Sequence, residues 1–109
     1  MLDATLAADT DGDTVRLTLT VENTGTDPET LSFRDSQRAE FVVRDGDREI
    51  WRWSEGQMFA QLLGSETVDP GATVVYEGEW ESASPGTYTV VGEVVDDDCD
   101  ARAETTVTV

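Results

Sequence analysis

Apolar and polar residues alternate with a period of two along most of this chain. In "TVRLTLTVEN", Val15, Leu17, Leu19 and Val21 fall on one face and Thr14, Arg16, Thr18 and Thr20 on the other, the pattern of a strand with one buried side. "AEFVVRD" repeats it with Ala39, Phe41 and Val43, and "ATVVYEGEW" sets Val74, Tyr76, Gly78 and Trp80 against Val75, Glu77 and Glu79. In "TYTVVGEVV" the inward set is Tyr88, Val90, Gly92 and Val94; in "ARAETTVTV" it is Ala101, Ala103, Thr105, Val107 and Val109. Further strands are predicted over Leu2–Ala8, over Leu31–Phe33 and in "EIWRWS".

Turn-forming residues fall between these runs, in "DTDGD", "ENTGTDPE", "RDGDR", "DPG", "SPG" and "DDDCD", where Gly, Asn, Asp and Pro supply the reversing dihedrals. "RDGDR" reads as a tight hairpin, because Asp-Gly suits positive φ. No long helical period competes. Turn signals about every 8–12 residues predict an all-β fold, an immunoglobulin-like antiparallel β-sandwich of seven to eight strands. The whole chain, residues 1–109, is one domain of a size that closes a single modest core. In "PGTYTV", Tyr88 stands where such folds place a tyrosine corner, and Val90 where antibody domains carry a cysteine.

One segment departs from the thrifty use of large apolar residues elsewhere. "REIWRWSEGQMFAQLL", residues 48–63, holds Trp51, Trp53, Met58, Phe59, Leu62 and Leu63. Period two puts both tryptophans on one face and Ile50 and Arg52 on the other, so the indoles are expected to fill core. From Ser54 the pattern changes. Ser54 and Gln57 fit a capping box, which allows a short helical turn over Glu55–Leu62, while Gly56 favours an extended loop. Either way the chain crosses between sheets with more apolar side chains than can face inward. Such a surplus is where a small sandwich offers a binding surface.

Charge narrows the choice of partner. The chain has 24 acidic and 7 basic residues, a net charge of −17, and every basic residue is an arginine. A nucleic-acid binder would need a basic footprint, which is missing. Disorder is disfavoured because the acids are interleaved with apolar alternation. The composition fits a surface adapted to molar salt, where the Debye length shrinks to about 3 Å and self-repulsion is screened. No apolar run approaches the roughly 20 residues of a membrane span, and Met1-Leu2-Asp3-Ala4 opens no signal peptide. A soluble monomer in a high-salt cytoplasm is expected.

The same inventory excludes most catalysis. Without histidine or lysine there is no Ser-His-Asp, Cys-His or Ser-Lys system, and one cysteine builds no thiolate metal site. No glycine-rich phosphate loop occurs, and carboxylate pairs are too common here to signify. The chain is expected not to be an enzyme and to carry no cofactor. Asp9, Asp11 and Asp13 have the spacing of a calcium-loop start, but the glycine is misplaced and Thr20 stands where such a loop needs glutamate. They are read as solvated turn carboxylates, so no metal is expected. Cys99, flanked by acids that disfavour its thiolate, is read as an incidental loop residue.

Three stretches, "FRDSQRAEFVVRDGDREIWRWSEGQMFAQ", "VDPGATVVYEGEW" and "SPGTYTVVGEV", together resemble the BsuPI family of intracellular proteinase inhibitors. Phe33, Gln37, Phe41, Val43, Gly46, Trp51–Ser54, Phe59, Gln61, Pro70, Gly71, Trp80, Pro85, Gly86 and Tyr88 carry the likeness, over residues from about 15 to 95. The "WRWS" block with ordered flanks is its most specific part; Ser36 and Ala39 depart from it, in the 34–39 turn. The resemblance implies, in a haloarchaeal-like member, a domain that binds and inhibits an intracellular subtilisin-type serine proteinase through an exposed loop. Subtilisin-type clefts take large apolar side chains, so the expected contact residues are Trp53, Ser54, Met58, Phe59, Leu62 and Leu63 in the crossover. Arg34–Arg38 and Glu81–Gly86 are the other candidate segments. The alternative expectation is a non-inhibitory immunoglobulin-like interaction or scaffolding module, with the crossover sealing the sandwich edge.

Overall fold

The computed structural model describes residues 2–33, 36–59, 61, 63–95 and 101–109. They form nine β-strands: β1 (Leu2–Asp11), β2 (Thr14–Asn23), β3 (Glu29–Phe33), β4 (Ala39–Asp45), β5 (Arg48–Arg52), β6 (Gly64–Val68), β7 (Thr73–Trp80), β8 (Thr87–Val94) and β9 (Arg102–Thr108). All pairings are antiparallel, in three sheets ordered β1-β2-β7, β3-β6 and β5-β4-β8-β9. The expectation of seven to eight strands is therefore corrected to nine. The unforeseen strand is β6, "GSETV", which has no apolar alternation because only Val68 at its end is buried. Ladder bonds to β3, rather than a buried face, make it a strand.

The alternating sets lie where period two puts them. Val15, Leu17, Leu19 and Val21 are fully buried, as are Val43 and Val90, and Phe41 is 1% exposed. Phe41 lies between the three-stranded and four-stranded sheets. A Cβ on Gly78 of β7 would come within 3.0 Å of its ring, and one on Gly92 of β8 would meet Leu6 of β1 at 3.2 Å. The glycines let backbone approach aromatic side chains across the core, a contact any side chain would block. Leu31, Phe33 and Val68 of the small sheet join the same core.

Two short hairpins use one device. Asp11↔Thr14 and Asp45↔Arg48 close the β1–β2 and β4–β5 ladders around Gly12-Asp13 and Gly46-Asp47. The glycine leads each turn with φ of 65° and 63°, a conformation costly for other residues. The β4–β5 ladder then shifts register between Val43 and Arg44, a bulge that sets Trp51 opposite Val43 on the core side. At the far end Tyr88 donates its hydroxyl hydrogen to the Ser84 carbonyl at 2.7 Å, the hydrogen bond of a tyrosine corner.

Buried Asn23 closes the remaining junction. Its amide nitrogen donates to the carbonyls of Asp27 (2.8 Å) and Val68 (2.9 Å), and its Oδ1 accepts from Gly25 N–H at 2.9 Å. One side chain thus ties the β2–β3 turn to the end of β6, and satisfied polar groups are what such a depth requires. No helix among the described residues is long and apolar enough to cross a membrane.

Candidate functional site

β5 and β7 are edge strands of the two larger sheets, so the space between those sheets opens there. Trp51 and Trp53 close it. Trp51 lies 6.3 Å from Trp80, which meets Tyr88 edge-on at 5.0 Å and 89°. Trp53 rests against Gly78, where a Cβ would stand 3.1 Å from Cδ1 of its ring, and Phe59 lies 5.7 Å away on its other side. Both indoles are half-buried against the core, as their shared face predicts. Ile50 is 41% exposed on the opposite side.

Beyond Trp53 the described residues form no helix. Trp53 N–H donates to the Phe41 carbonyl (2.9 Å), Glu55 N–H to that of Arg52 (3.1 Å) and Gln57 N–H to that of Ser54 (3.1 Å). The first ties the segment to β4, and the other two close successive turns. Gly56 has φ of +77°, which ends helical propagation and favours the loop over the helical turn in the described residues. Ser54 acts through its backbone instead of as a cap: its N–H donates to Glu40 Oε1 at 3.1 Å.

Glu40 is the anchor under this turn. It lies on β4 with its side chain 7% exposed, on the face opposite Phe41. Oε1 accepts from the N–H groups of Phe41 and Ser54, both at 3.1 Å. Oε2 accepts from Gln37 Nε2 at 3.1 Å, and Arg52 Nη1 stands 3.5 Å away. One carboxylate therefore holds the end of the 36–38 turn and the start of the crossover together. Arg52 pairs more closely with Glu49, at 2.8 Å. That bond holds the Glu49 carboxyl below its ordinary range, and in return raises Arg52 above its own.

The contact residues expected from sequence divide into two groups. Trp53 and Phe59 pack on each other and Ser54 is pinned to Glu40, whereas Met58 is 97% and Leu63 82% exposed. Leu62 lies outside the described residues, as do Arg34 and Cys99. Of the two other segments, Glu81–Gly86 is anchored at its centre: Ala83 is buried, its N–H donating to the Asp13 carbonyl at 2.8 Å, and the Ser84 carbonyl accepts from the Tyr88 hydroxyl, while Glu81, Ser82, Ser84 and Pro85 stay exposed. In the 36–38 turn the Arg38 guanidinium lies 4.3 Å from the Phe33 ring centroid, and its Nη1 is buried without an acceptor among the described residues. The crossover alone among the three presents large apolar side chains to solvent in the described residues.

Two features here escaped sequence reasoning. Glu40 reads as an ordinary outward position of β4, and nothing local marks it as buried. The second is a groove of about 400 Å³ lined by Trp51, Trp53, Glu55, Gln57, Glu79 and Glu81, which needs residues of β5, the crossover and the end of β7 brought to one rim. Among the described residues no three His, Cys, Asp or Glu side chains gather as metal ligands.

The family model described as BsuPI, intracellular proteinase inhibitor, matches residues 2–99. No curated protein matches the chain.

Proposed function

Because the chain belongs to the BsuPI family of intracellular proteinase inhibitors, we propose that it inhibits a subtilisin-type serine proteinase through the crossover between β5 and β6. The observation that carries this reading is the exposure of Met58 (97%) and Leu63 (82%) on a segment fixed at its start by Glu40 and Trp53. A segment held in shape before binding loses less entropy on docking than a free loop. An inhibitory segment pairs its backbone with cleft strands while alternate side chains enter pockets. Trp53, Ser54 and Phe59 shape the segment and border the contact; Met58, Leu62 and Leu63 are the side chains offered to the enzyme.

The scaffold under this reading is an immunoglobulin-like sandwich, supported by the Tyr88–Ser84 bond and by the two larger sheets meeting across Phe41. The inhibitor works as a monomer in a cytoplasm of molar salt, a setting that the net charge of −17 favours. The test is inhibition of an intracellular subtilisin-type protease in molar KCl by wild type, Met58→Ala and Leu63→Ala. Inhibition weakened in both variants at unchanged melting temperature supports the crossover. Folded protein that leaves every such protease uninhibited would point to the non-inhibitory module instead.

A further inference from the structure

We infer that Arg38 is a positioning residue for the proposed contact: its guanidinium fixes the Leu63 end of the crossover as Glu40 fixes the Ser54 end. The inference rests on the inhibitor reading for what the segment contacts, but not for how the segment is held. Gly64 follows Leu63 and opens β6, opposite Phe33 in the last pair of the β3–β6 ladder. The Arg38 guanidinium lies against both members of that pair. It stands 4.3 Å from the Phe33 ring centroid, and a Cβ on Gly64 would come within 2.6 Å of its Nη2 and 2.9 Å of its Nη1. Only glycine admits so close an approach. Nη1 is buried with no acceptor among the described residues, and none of their carboxylates forms an ion pair with Arg38 in a chain of 24 acidic residues.

An arginine free to move turns its head outward, to water or to a carboxylate. A buried donor left without an acceptor therefore calls for a reason, and the reason here is packing at the exit of the crossover. A guanidinium is planar and weakly hydrated, so it can lie over an aromatic ring and against flat backbone where an ammonium would keep its water. Arg38 is itself held. Its carbonyl accepts from Val95 N–H at 3.0 Å, and the neighbouring Gln37 amide donates to the Ala39 carbonyl and to Glu40 Oε2, both at 3.1 Å. Arg38 and Glu40 thus tie the two ends of residues 54–63 to one short stretch at the start of β4. Leu63, 82% exposed, projects from the end that Arg38 holds. A loop fixed at both ends has less freedom to lose on docking than one fixed at a single end.

The test uses the intact chain with Arg38→Lys, Arg38→Ala, Gly64→Ala and the double variant Arg38→Ala/Gly64→Ala. Val107→Ala, a core truncation in β9, is the stability control. Without any protease, NMR relaxation should show the Leu63 backbone loosened in every variant at Arg38 or Gly64, Arg38→Lys included, while Ser54 keeps its wild-type order. Against a subtilisin-type protease, each single variant at these two positions should weaken inhibition about fivefold or more. Val107→Ala should change it by less than about twofold at an equal or larger loss of melting temperature. Because Gly64→Ala acts by displacing Arg38, it should add less than about a twofold change in the Arg38→Ala background. Unchanged Leu63 order, full inhibition by Arg38→Lys, or a Gly64→Ala effect that persists without Arg38 would overturn the inference. Wild type that inhibits no such protease would contradict the function proposed above, and the relaxation result would then decide this inference by itself.

Discussion

Replacing Glu40 by glutamine removes one charge and one acceptor from the anchor of the crossover. In the wild type four donors converge on its two oxygens, three at 3.1 Å and Arg52 at 3.5 Å. Glutamine can keep its oxygen on the Phe41 and Ser54 N–H groups. Its amide nitrogen then faces the Gln37 amide and the Arg52 guanidinium, donor against donor. Hydrogen bonds to a charged acceptor contribute about 1.5–3 kcal/mol, and stranded buried donors cost about 1–3 kcal/mol. Arg52 is 37% exposed, so its share is discounted to at most ~1 kcal/mol. The expected loss is about 2–4 kcal/mol, or about 10–20 °C in melting temperature for a domain of this size. Urea unfolding at fixed KCl measures it, with an unchanged m-value showing that the unfolded state is unaltered. Hydrogen exchange at Ser54 should also accelerate, because that N–H loses a charged partner. A Glu40→Gln variant within about 0.5 kcal/mol of wild type, with Ser54 exchange unchanged, would refute the anchoring role.

Gly78→Ala should destabilise by about 1–3 kcal/mol, since its methyl would meet Phe41 and Trp53 at 3.0–3.1 Å and a packed core yields little; a red-shifted tryptophan emission would report the displaced indole. Phe59→Ala should lower the melting temperature by stripping the outer cover from Trp53, whereas Met58→Ala, at a site 97% exposed, should leave stability within about 0.5 kcal/mol. The lowered Glu49 value sets a pH dependence: stability from this carboxylate is present above the ordinary glutamate range and is lost as pH falls through the lowered folded-state value. Glu49→Gln should flatten that part of an acid titration followed by urea unfolding, and an unchanged slope would contradict the pairing. Melting temperature should climb steeply with KCl, because screening relieves repulsion in a chain of net charge −17; a flat response would contradict adaptation to salt.

Strands that bury one face were legible because alternation reports burial directly. β2, β7, β8 and β9 lie as the pattern sets them, and the Tyr88 corner followed from its place after "PG". β6 was missed because its residues 65–67 face solvent and only backbone pairing defines it. β1 runs three residues further than foreseen, to Asp11, since a hairpin ladder continues without any apolar requirement. At the site, sequence marked the crossover by its surplus of apolar residues, and period two put both tryptophans on the core side. It gave no means of separating Phe59, which packs on Trp53, from Met58, which does not. The anchoring by Glu40 and the groove lined by Trp51, Trp53, Glu79 and Glu81 depend on residues far apart in the chain, and no local pattern encodes such a meeting.

Inhibition of an intracellular subtilisin-type protease in molar KCl, with wild type compared against Met58→Ala/Leu63→Ala, tests the account most directly. Tight inhibition by folded wild type, lost by at least tenfold in the double variant at equal melting temperature, is the predicted result. Inhibition that survives both substitutions would contradict the crossover as the contact, and no inhibition by folded wild type would contradict the subtilisin-type target.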